Sequence, residues 1–197
     1  MAVREIVQVG DPVLRRRADE VTAKQLTSGE LAELIADMRD TMRAAPGVGL
    51  AAPQIGVSLQ LAVIEDTADG LSPEQRAARE RDPIGFHVLV NPVLTIVDAE
   101  RVAHFEGCLS FAPFQMVVQR ARKVRVDALD DQGKPFTREA SGWYARILQH
   151  EIDHLRGVVC CDRMDSRTLT TTANFTKFYA GRSLADVKSV IGKPPRE

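Results

Sequence analysis

Two histidines that stand four residues apart could together bind a metal ion. They belong to the run His150-Glu151-Ile152-Asp153-His154, which is an H-E-x-x-H pattern. Four residues advance an α-helix by about 400°, so both imidazoles lie on one face and can reach the same cation. Glu151 lies beside the first histidine and can move a proton between an activated water and a leaving group. The pattern predicts a metal-dependent hydrolase; the alternative is a surface helix whose histidines only contact each other.

A third protein ligand is expected, because a catalytic cation usually has three protein ligands and one open coordination position. Cys160 and Cys161 lie in a short apolar run and are expected to be small core residues. Cys108 lies in Glu106-Gly107-Cys108-Leu109-Ser110, where a turn-like segment with a flanking glycine can present its sulfur. The spacing alone ranks Cys108 and His104 about equally as the third ligand.

A glycine-rich run is the third group of residues that could take part in chemistry. It reads Gly47-Val48-Gly49-Leu50-Ala51-Ala52-Pro53-Gln54, and its two glycines allow another backbone or a bound chain to approach closely. The run follows a predicted helix and lacks lysine, so its likeness to a phosphate-binding loop is weak. The amide of Gln54 could donate to a developing oxyanion, and a purely structural role is the alternative.

Three helices are predicted to position these runs. The first begins at a capping box at Thr27, continues with apolar residues at helical spacing, and ends at Pro46-Gly47. The second covers Gly142 to Leu155, carries both histidines and stops at Gly157. The third covers Leu169 to Tyr179.

Short strands are predicted between the helices, each apolar throughout or alternating between apolar and polar residues. They are Ser58–Glu65, Phe86–Val97 with a kink at Asn91-Pro92, Met116–Leu129, Lys134–Glu139 and Val158–Cys161. Asp130–Gly133 closes a hairpin between two of them. Ile6–Leu14 is predicted to be a strand or an extended arm, and Asp66–Asp82 a surface insertion with one helical turn.

Together these elements predict an α+β fold, with short and mostly antiparallel strands around a central helix that bears the H-E-x-x-H pattern. N-terminal and C-terminal helices complete it. A chain of 197 residues is short for two domains, so residues 1–191 are expected to form a single catalytic domain. Residues 192–197 are expected to be a disordered tail.

The composition is typical of a globular protein without a nucleic-acid or membrane partner. Hydrophobic residues make up 44% and charged residues 27%, which is enough for a substantial core. The balance of 26 basic against 27 acidic residues gives a net charge of -1, which disfavours direct binding to nucleic acid or to an anionic membrane. Three cysteines, two of them adjacent, and the lack of an export signal predict a reducing, cytoplasmic location.

Three runs of the sequence resemble the motifs of the peptide deformylase family, GxGLAAPQ, EGCxS and QHExDH. They stand in the family's order as Gly47–Gln54, Glu106–Ser110 and Gln149–His154, and a weaker similarity extends over most of the chain. The longer middle insertion and Gly142-Trp143-Tyr144-Ala145-Arg146 are most similar to the branch shared by actinobacteria, plant organelles and mitochondria.

The resemblance implies an activity, a cofactor and a partner. The activity is removal of formate from the N-formylmethionine of new polypeptides, and the partner is the N-terminus of the nascent chain near the ribosome. The cofactor is one divalent metal ion, typically iron(II) and readily exchanged for zinc, nickel or cobalt. In this resemblance the third ligand is Cys108, which joins His150 and His154.

The resemblance also implies roles for three further residues. Water activated at the metal attacks the formyl carbon, and Glu151 relays the proton to the departing amine. The side-chain amide of Gln54 and the backbone N–H of Leu109 help the metal to hold the oxyanion.

The methionine side chain needs an apolar pocket beside the metal. Ile147 and Trp143 precede His150 by three and seven residues and therefore share its helix face. Val48 and Gly49 come from the glycine-rich run. We expect these four residues to bind the substrate.

The residues that follow EGCLS depart from the family pattern. The family usually continues with Val-Pro-Gly, an aromatic residue and often an arginine, whereas this chain has Phe111-Ala112-Pro113-Phe114-Gln115. Ala112 frees a φ angle that proline would fix, and Gln115 stands where an arginine would bind the peptide backbone. The expectation is an active deformylase with a weaker or altered peptide preference.

Two other functions are compatible with parts of the sequence. A zinc endopeptidase that used the same helix would not need Cys108, and it usually has a third His or Glu downstream, which the chain lacks near His154. A non-enzymatic, ribosome-associated or regulatory relative would bind metal without releasing formate.

Overall fold

The structure is a computed structural model that describes residues 2–191, so the predicted tail at 192–197 lies outside the described residues. Its helices are α1 (Ala23–Ser28), α2 (Glu30–Ala44), α3 (Pro73–Arg79), α4 (Gly142–Leu155), α5 (Thr172–Asn174) and α6 (Leu184–Ile191). Its strands are β1 (Gly49–Ala51), β2 (Leu61–Asp66), β3 (Ile84–Ile96), β4 (Arg101–Gly107), β5 (Phe114–Ala121), β6 (Lys123–Leu129), β7 (Pro135–Ser141) and β8 (Met164–Thr171). The predicted α+β class is confirmed.

The strands form two sheets in which every described pair of neighbours is antiparallel. One sheet has the order β1-β2-β3-β6-β7, and the other has the order β4-β5-β8. Helix α4 contacts strands of both sheets, which places it at the centre of the fold. The helix with the two histidines is therefore held from both sides.

The larger sheet is covered on both faces. In β2, successive side chains are apolar, and they point alternately to the two faces. Ala62 and Ile64 of β2 pack in one buried cluster with Leu148 and Ile152 of α4. The side chains that alternate with them, such as Leu61, belong to a second buried cluster with residues of α2. Side chains of a strand alternate between faces, so a continuous apolar run fits a strand buried on both sides.

Several elements agree with the predictions from sequence. Helix α4 has the predicted bounds, and Gly157 after it adopts a left-handed φ of 76°. The kink predicted in β3 is present as a shift of register between Val90 and Val93. Strands β6 and β7 form the predicted hairpin, in which the N–H of Gly133 donates to the carbonyl of Asp130 at 3.0 Å.

The predicted start of the first helix is wrong. Thr27 lies inside α1, where its hydroxyl donates to the carbonyl of Ala23 at 3.1 Å. The capping box that is present joins Thr22 and Gln25, and it begins the separate helix α1. Gly29, with a φ of 79°, ends α1 and precedes α2, so two helices stand where one was predicted.

Two predictions in the last third of the chain are wrong. The run Val158–Cys161 is not a strand: Cys160–Asp162 forms a 3-10 turn, stabilised by the N–H of Val159, which donates to the carboxylate of Asp162 at 2.9 Å. The predicted helix from Leu169 is a strand as far as Thr171, because β8 pairs there with β5. A short α5 and a π-helical turn at Phe175–Tyr179 take up the rest of the predicted range. The β-branched threonines favour the extended form.

The structure defines the first segment, which was predicted as a strand or an extended arm, and the insertion, which was predicted to hold one helical turn. The first is an extended arm, in which the N–H of Val7 donates to the carbonyl of Gln54 at 2.9 Å and that of Val9 to Ser110 at 2.7 Å. The insertion carries α3, a helix of seven residues that begins with a capping box between Ser72 and Gln75. None of the helices in residues 2–191 is long and apolar enough to cross a membrane.

Candidate metal centre

His150 and His154 lie on one face of α4, and the centroids of their rings are 5.0 Å apart. Cys108 reaches them from the turn after β4, and its Sγ lies 3.3 Å from Nε2 of His154. One possible ligand atom from each of the three residues lies within 4.8 Å of the other two. Three donors at such separations can surround a single cation.

The donor set fits a divalent transition metal. The Nδ1 of His150 lies 3.1 Å from a carboxylate oxygen of Glu106, which holds a proton on Nδ1 and leaves Nε2 for a cation. Nitrogen and sulfur donors suit iron(II), zinc, nickel or cobalt, whereas magnesium and calcium prefer oxygen. The residues present therefore fit the predicted cofactor.

The surroundings also set the protonation of Cys108 and His154. A hydrogen bond with Cys160 and burial raise the pKa of Cys108 well above that of an ordinary thiol. Burial lowers the pKa of His154 below its usual value, so its imidazole is neutral and offers a lone pair. A cation that binds Cys108 displaces the thiol proton.

His104, the other candidate for the third ligand, is not part of this group. It lies on β4 with its ring edge-on to Trp143, at a centroid distance of 5.9 Å. Burial and the charge of Arg146 lower the pKa of His104 to about 4, so it is neutral at pH 7. The structure thus brings Cys108, and not His104, to the two histidines.

A buried network of charged side chains lies behind the histidines. Glu106 accepts hydrogen bonds from Nε and a terminal nitrogen of Arg120, both at 3.0 Å, and it also pairs with Arg146. Arg120 pairs in turn with Asp153, which accepts two hydrogen bonds from Arg163 at 2.7 and 2.8 Å. Burial opposes the charge on Glu106, yet the hydrogen bond from His150 and the charge of Arg120 hold its pKa far below the usual value. The network orients His150 through Glu106.

Glu151 lies in the site and is only 4% exposed. Its Oε2 is buried and has no hydrogen-bond partner in the described chain. Burial raises the pKa of Glu151 to about 7. Gly49 leaves the space for this side chain: a Cβ at position 49 would lie 2.3 Å from Oε1 of Glu151.

Gln54 and Leu109 are placed on either side of Cys108. The Oε1 of Gln54 accepts from the N–H of Ala51 at 2.9 Å, which fixes the amide so that Nε2 points to Ser110 Oγ at 3.3 Å and Cys108 Sγ at 3.7 Å. Leu109 is the first residue of a 3-10 turn, where backbone N–H groups have no acceptor within the turn. Both N–H groups can therefore donate to an oxygen near the sulfur.

A cleft of about 940 Å³ opens over the three donors. Every predicted site residue except the buried His154 lines it: Val48, Gly49, Gln54, Cys108, Leu109, Trp143, Ile147, His150 and Glu151. The cleft is also lined by four residues at which the sequence departs from the family pattern: Ala112, Pro113, Phe114 and Gln115. The volume is large enough for a short peptide as well as a methionine side chain.

Sequence reasoning missed two walls of this cleft. One wall is the insertion, through Gln75, Ala78, Arg79 and Arg81, and the other is the segment after β8, through Thr172, Phe175, Tyr179 and Arg182. It also missed the network partners Arg120, Asp153 and Arg163. For the network the sequence held one signal, since Arg120 is the one charged residue of strand β5. No local pattern marks the two walls.

The fold and the site together define a class, the metal-dependent hydrolases that set one thiolate and two helix imidazoles around a cation beside a buried glutamate. A family model described as polypeptide deformylase matches residues 3–169. The chain belongs to this family, which removes the formyl group from the N-formylmethionine of polypeptides. The family resemblance and the activity predicted from the three motifs are confirmed.

Known relatives show the same assignment. Peptide deformylase 3 of Streptomyces avermitilis is 51% identical over 166 residues, which cover 84% of this chain and 73% of that protein. The mitochondrial peptide deformylase of Homo sapiens is 44% identical over 168 residues, covering 84% and 69%. The crystal structure of class I type b peptide deformylase from Acinetobacter baumannii with Met-Ala-Ser bound superposes with a TM-score of 0.75, at 32% identity, covering 83% of this chain and 99% of that one.

Proposed function

We propose that Cys108, His150 and His154 hold one divalent cation, natively iron(II), and that this centre deformylates the amino end of nascent polypeptides. The observation that carries the proposal is the approach of the three ligand atoms to within 4.8 Å of one another, directly beside an unpaired, buried Glu151. Zinc, nickel or cobalt suits the same donors. When bound, the cation supplies Lewis acidity that activates water and polarises the formyl carbonyl.

The side chains of the cleft carry the proton and the developing charge. Glu151 accepts the proton of the attacking water and donates it to the nitrogen of the departing amine, because Oε2 of its buried carboxylate has no competing hydrogen-bond partner among the described residues. Gln54 Nε2 and the N–H of Leu109 donate to the oxygen of the former carbonyl as negative charge builds on it. The C–N bond of the formamide then breaks, which gives formate and a free amino terminus.

The apolar part of the cleft binds the methionine side chain. Val48, Gly49, Ile147 and Trp143 line it beside the metal ligands, and Ile147 is buried. The thioether of methionine is unbranched and adapts to such a pocket. The partner in this proposal is the N-terminus of a new chain near the ribosome, in the cytoplasm, with no direct contact to nucleic acid; the net charge of -1 supports that last point.

The test combines metal analysis with formate release. Protein purified without oxygen is expected to contain one divalent cation per chain, mostly iron, and to release formate from a formyl-Met tripeptide. Glu151→Gln is expected to keep the cation and to lose turnover by about 100-fold or more, because general acid–base catalysis contributes factors of that size. Full turnover by Glu151→Gln with the cation bound would exclude the proposed proton transfer. Metal without formate release by the wild type would indicate the non-enzymatic alternative.

A further inference from the structure

Arg79 is a cation without a counter-charge inside the cleft. It stands at the end of α3, lines the cleft and is half-buried. Its guanidinium carbon lies 5.5 Å from the centroid of the Trp143 ring, on which it packs. Within residues 2–191 no carboxylate pairs with Arg79, and no hydrogen bond from its side chain is formed. A half-buried arginine is costly without an anion, and burial lowers its pKa accordingly.

The neighbouring arginines differ from Arg79 in this respect. Arg81 also packs on Trp143, at 5.1 Å, but it makes two hydrogen bonds to Asp66 at 2.8 and 2.9 Å. Arg146 lies 5.8 Å from the same ring and pairs with Glu106. Both thus have a carboxylate partner within the protein, whereas Arg79 has none among the described residues and its charge is available to a ligand.

The charge balance of the cleft favours an anionic ligand. On the opposite wall, Arg182 is exposed and, among the described residues, has no ion pair. The acidic side chains that line the cleft are Glu106, which the arginine network neutralises, and Glu151, which lies at the centre of the reaction. Apart from the catalytic groups, the cleft therefore presents positive charge to the part of a bound peptide that follows the methionine.

A peptide that runs along α4 from His150 past Trp143 would bring its first residues to Arg79. Arg79 packs on Trp143, and Trp143 stands seven residues, or about 10 Å along α4, before His150. About three residues of extended peptide span that distance. A carboxylate on one of the first three residues after methionine can therefore reach the guanidinium.

We propose that Arg79 is a specificity-determining residue that selects formylated peptides with a carboxylate close behind the methionine. The carboxylate is either the side chain of an Asp or Glu or the C-terminus of a short peptide, since both offer two oxygens to a guanidinium. This inference rests on the proposed function, because it concerns the substrate of the same site.

The test measures kcat/KM for matched pairs of formyl-Met tetrapeptides with amidated C-termini. Each pair carries Asp or its isostere Asn at one of the three positions after methionine. The wild type is expected to prefer Asp at one position by about threefold to tenfold, the range for a partly exposed charged hydrogen bond. Arg79→Gln is expected to bring that ratio close to one, and Arg79→Lys to retain part of it. A further arm replaces the amide by a free C-terminal carboxylate in the Asn peptides, which distinguishes the two sources.

Arg76→Gln is the matched control, because Arg76 lies one turn earlier on α3 and does not line the cleft. It removes the same charge from the same helix and is expected to keep the wild-type ratio. A carboxylate preference, for Asp or for the free C-terminus, that is absent in the wild type, that survives in Arg79→Gln, or that falls equally in Arg76→Gln would overturn the inference. Turnover of the neutral Asn peptides by the wild type tests the proposed function separately, so the two failures are distinguishable.

Discussion

At the scale of single residues, Gly49 determines whether Glu151 can occupy its place. A Cβ at this position would lie 2.3 Å from Oε1 of Glu151, well inside van der Waals contact. We expect Gly49→Ala to displace the carboxylate and to reduce kcat by at least about tenfold, because the proton transfer depends on its position. The metal content is expected to stay the same, since none of the three ligands is touched.

Steady-state kinetics of formate release, with metal analysis of the same sample, measures this effect. Gly85→Ala is a matched control, because an added Cβ there meets no atom within 4 Å. Unchanged kcat in Gly49→Ala would show that the side chain of Glu151 does not need this space.

Residue types and spacing predicted only part of the site. Two histidines four positions apart on a helix share a face by geometry alone, so their pairing follows from sequence. The choice between Cys108 and His104 does not, because both lie in one extended stretch and only the tertiary path of β4 decides which of them reaches α4. The partners of Arg120 are separated from it by 14 and 33 positions, and no local rule connects them.

Among the elements of the fold, the N-terminal arm is bound to α2 through a buried carboxylate. Asp37 is 1% exposed and accepts from the N–H of Ala2 at 2.6 Å and from Nε of Arg4 at 2.7 Å. The hydrogen bond from Ala2 and the one from Arg4 lower the pKa of Asp37 below its ordinary value. A carboxyl with a lowered pKa in the folded state stabilises the fold above its unfolded pKa of about 4 and loses this effect as the pH falls through the folded pKa.

We therefore expect Asp37→Asn to lower Tm relative to the wild type at pH 7 and the difference to shrink as the pH falls below about 4. Thermal unfolding of both proteins across this range measures it. Asp40→Asn, which changes a partly exposed carboxylate beside Arg39 on the same helix, is expected to shift Tm little. A difference between Asp37→Asn and wild type that is the same at every pH would contradict the assignment.

Element types were predictable where one local signal dominated. Helix α4 and the β6–β7 hairpin have a clear period and clear end signals, and both are present. The segment around Thr170 has a weak helical pattern with threonines, and its pairing with Gln115 of β5 makes it a strand. The start of the first helix was misassigned because Gly29, in a left-handed conformation, ends α1, and the apolar residues at helical spacing that begin at Leu31 belong to α2 alone.

At the scale of the whole molecule, the cleft is completed by a segment that follows all the catalytic residues. Phe105 of β4 packs against Phe175 at 4.9 Å and stacks on Tyr179 at 5.9 Å, which holds this segment over the cleft. We expect deletion of the residues after Thr171 to keep the metal, whose ligands all precede Leu155, and to raise KM about tenfold or more because one wall is lost. Metal content and KM for a formyl-Met peptide measure this.

Phe175→Ala is the milder companion variant, since it loosens the same wall without shortening the chain. It is expected to raise KM in the same direction and by a smaller factor. An unchanged KM in the deletion variant would show that this wall does not bind substrate. The wall was not predictable, because its residues contact the site through tertiary packing alone.

The extended arm has a practical consequence for anyone who engineers the chain. The side chain of Gln8 donates to the carbonyl of Leu109 at 3.0 Å. The backbone N–H groups of Val7 and Val9 donate to the carbonyls of Gln54 and Ser110. A bulky fusion ahead of the arm would therefore displace the residues that donate to the oxyanion. The tip of the β6–β7 hairpin, at Asp131 and Gln132, is exposed and lines no part of the cleft, which makes it the better place to insert an epitope or a fluorophore.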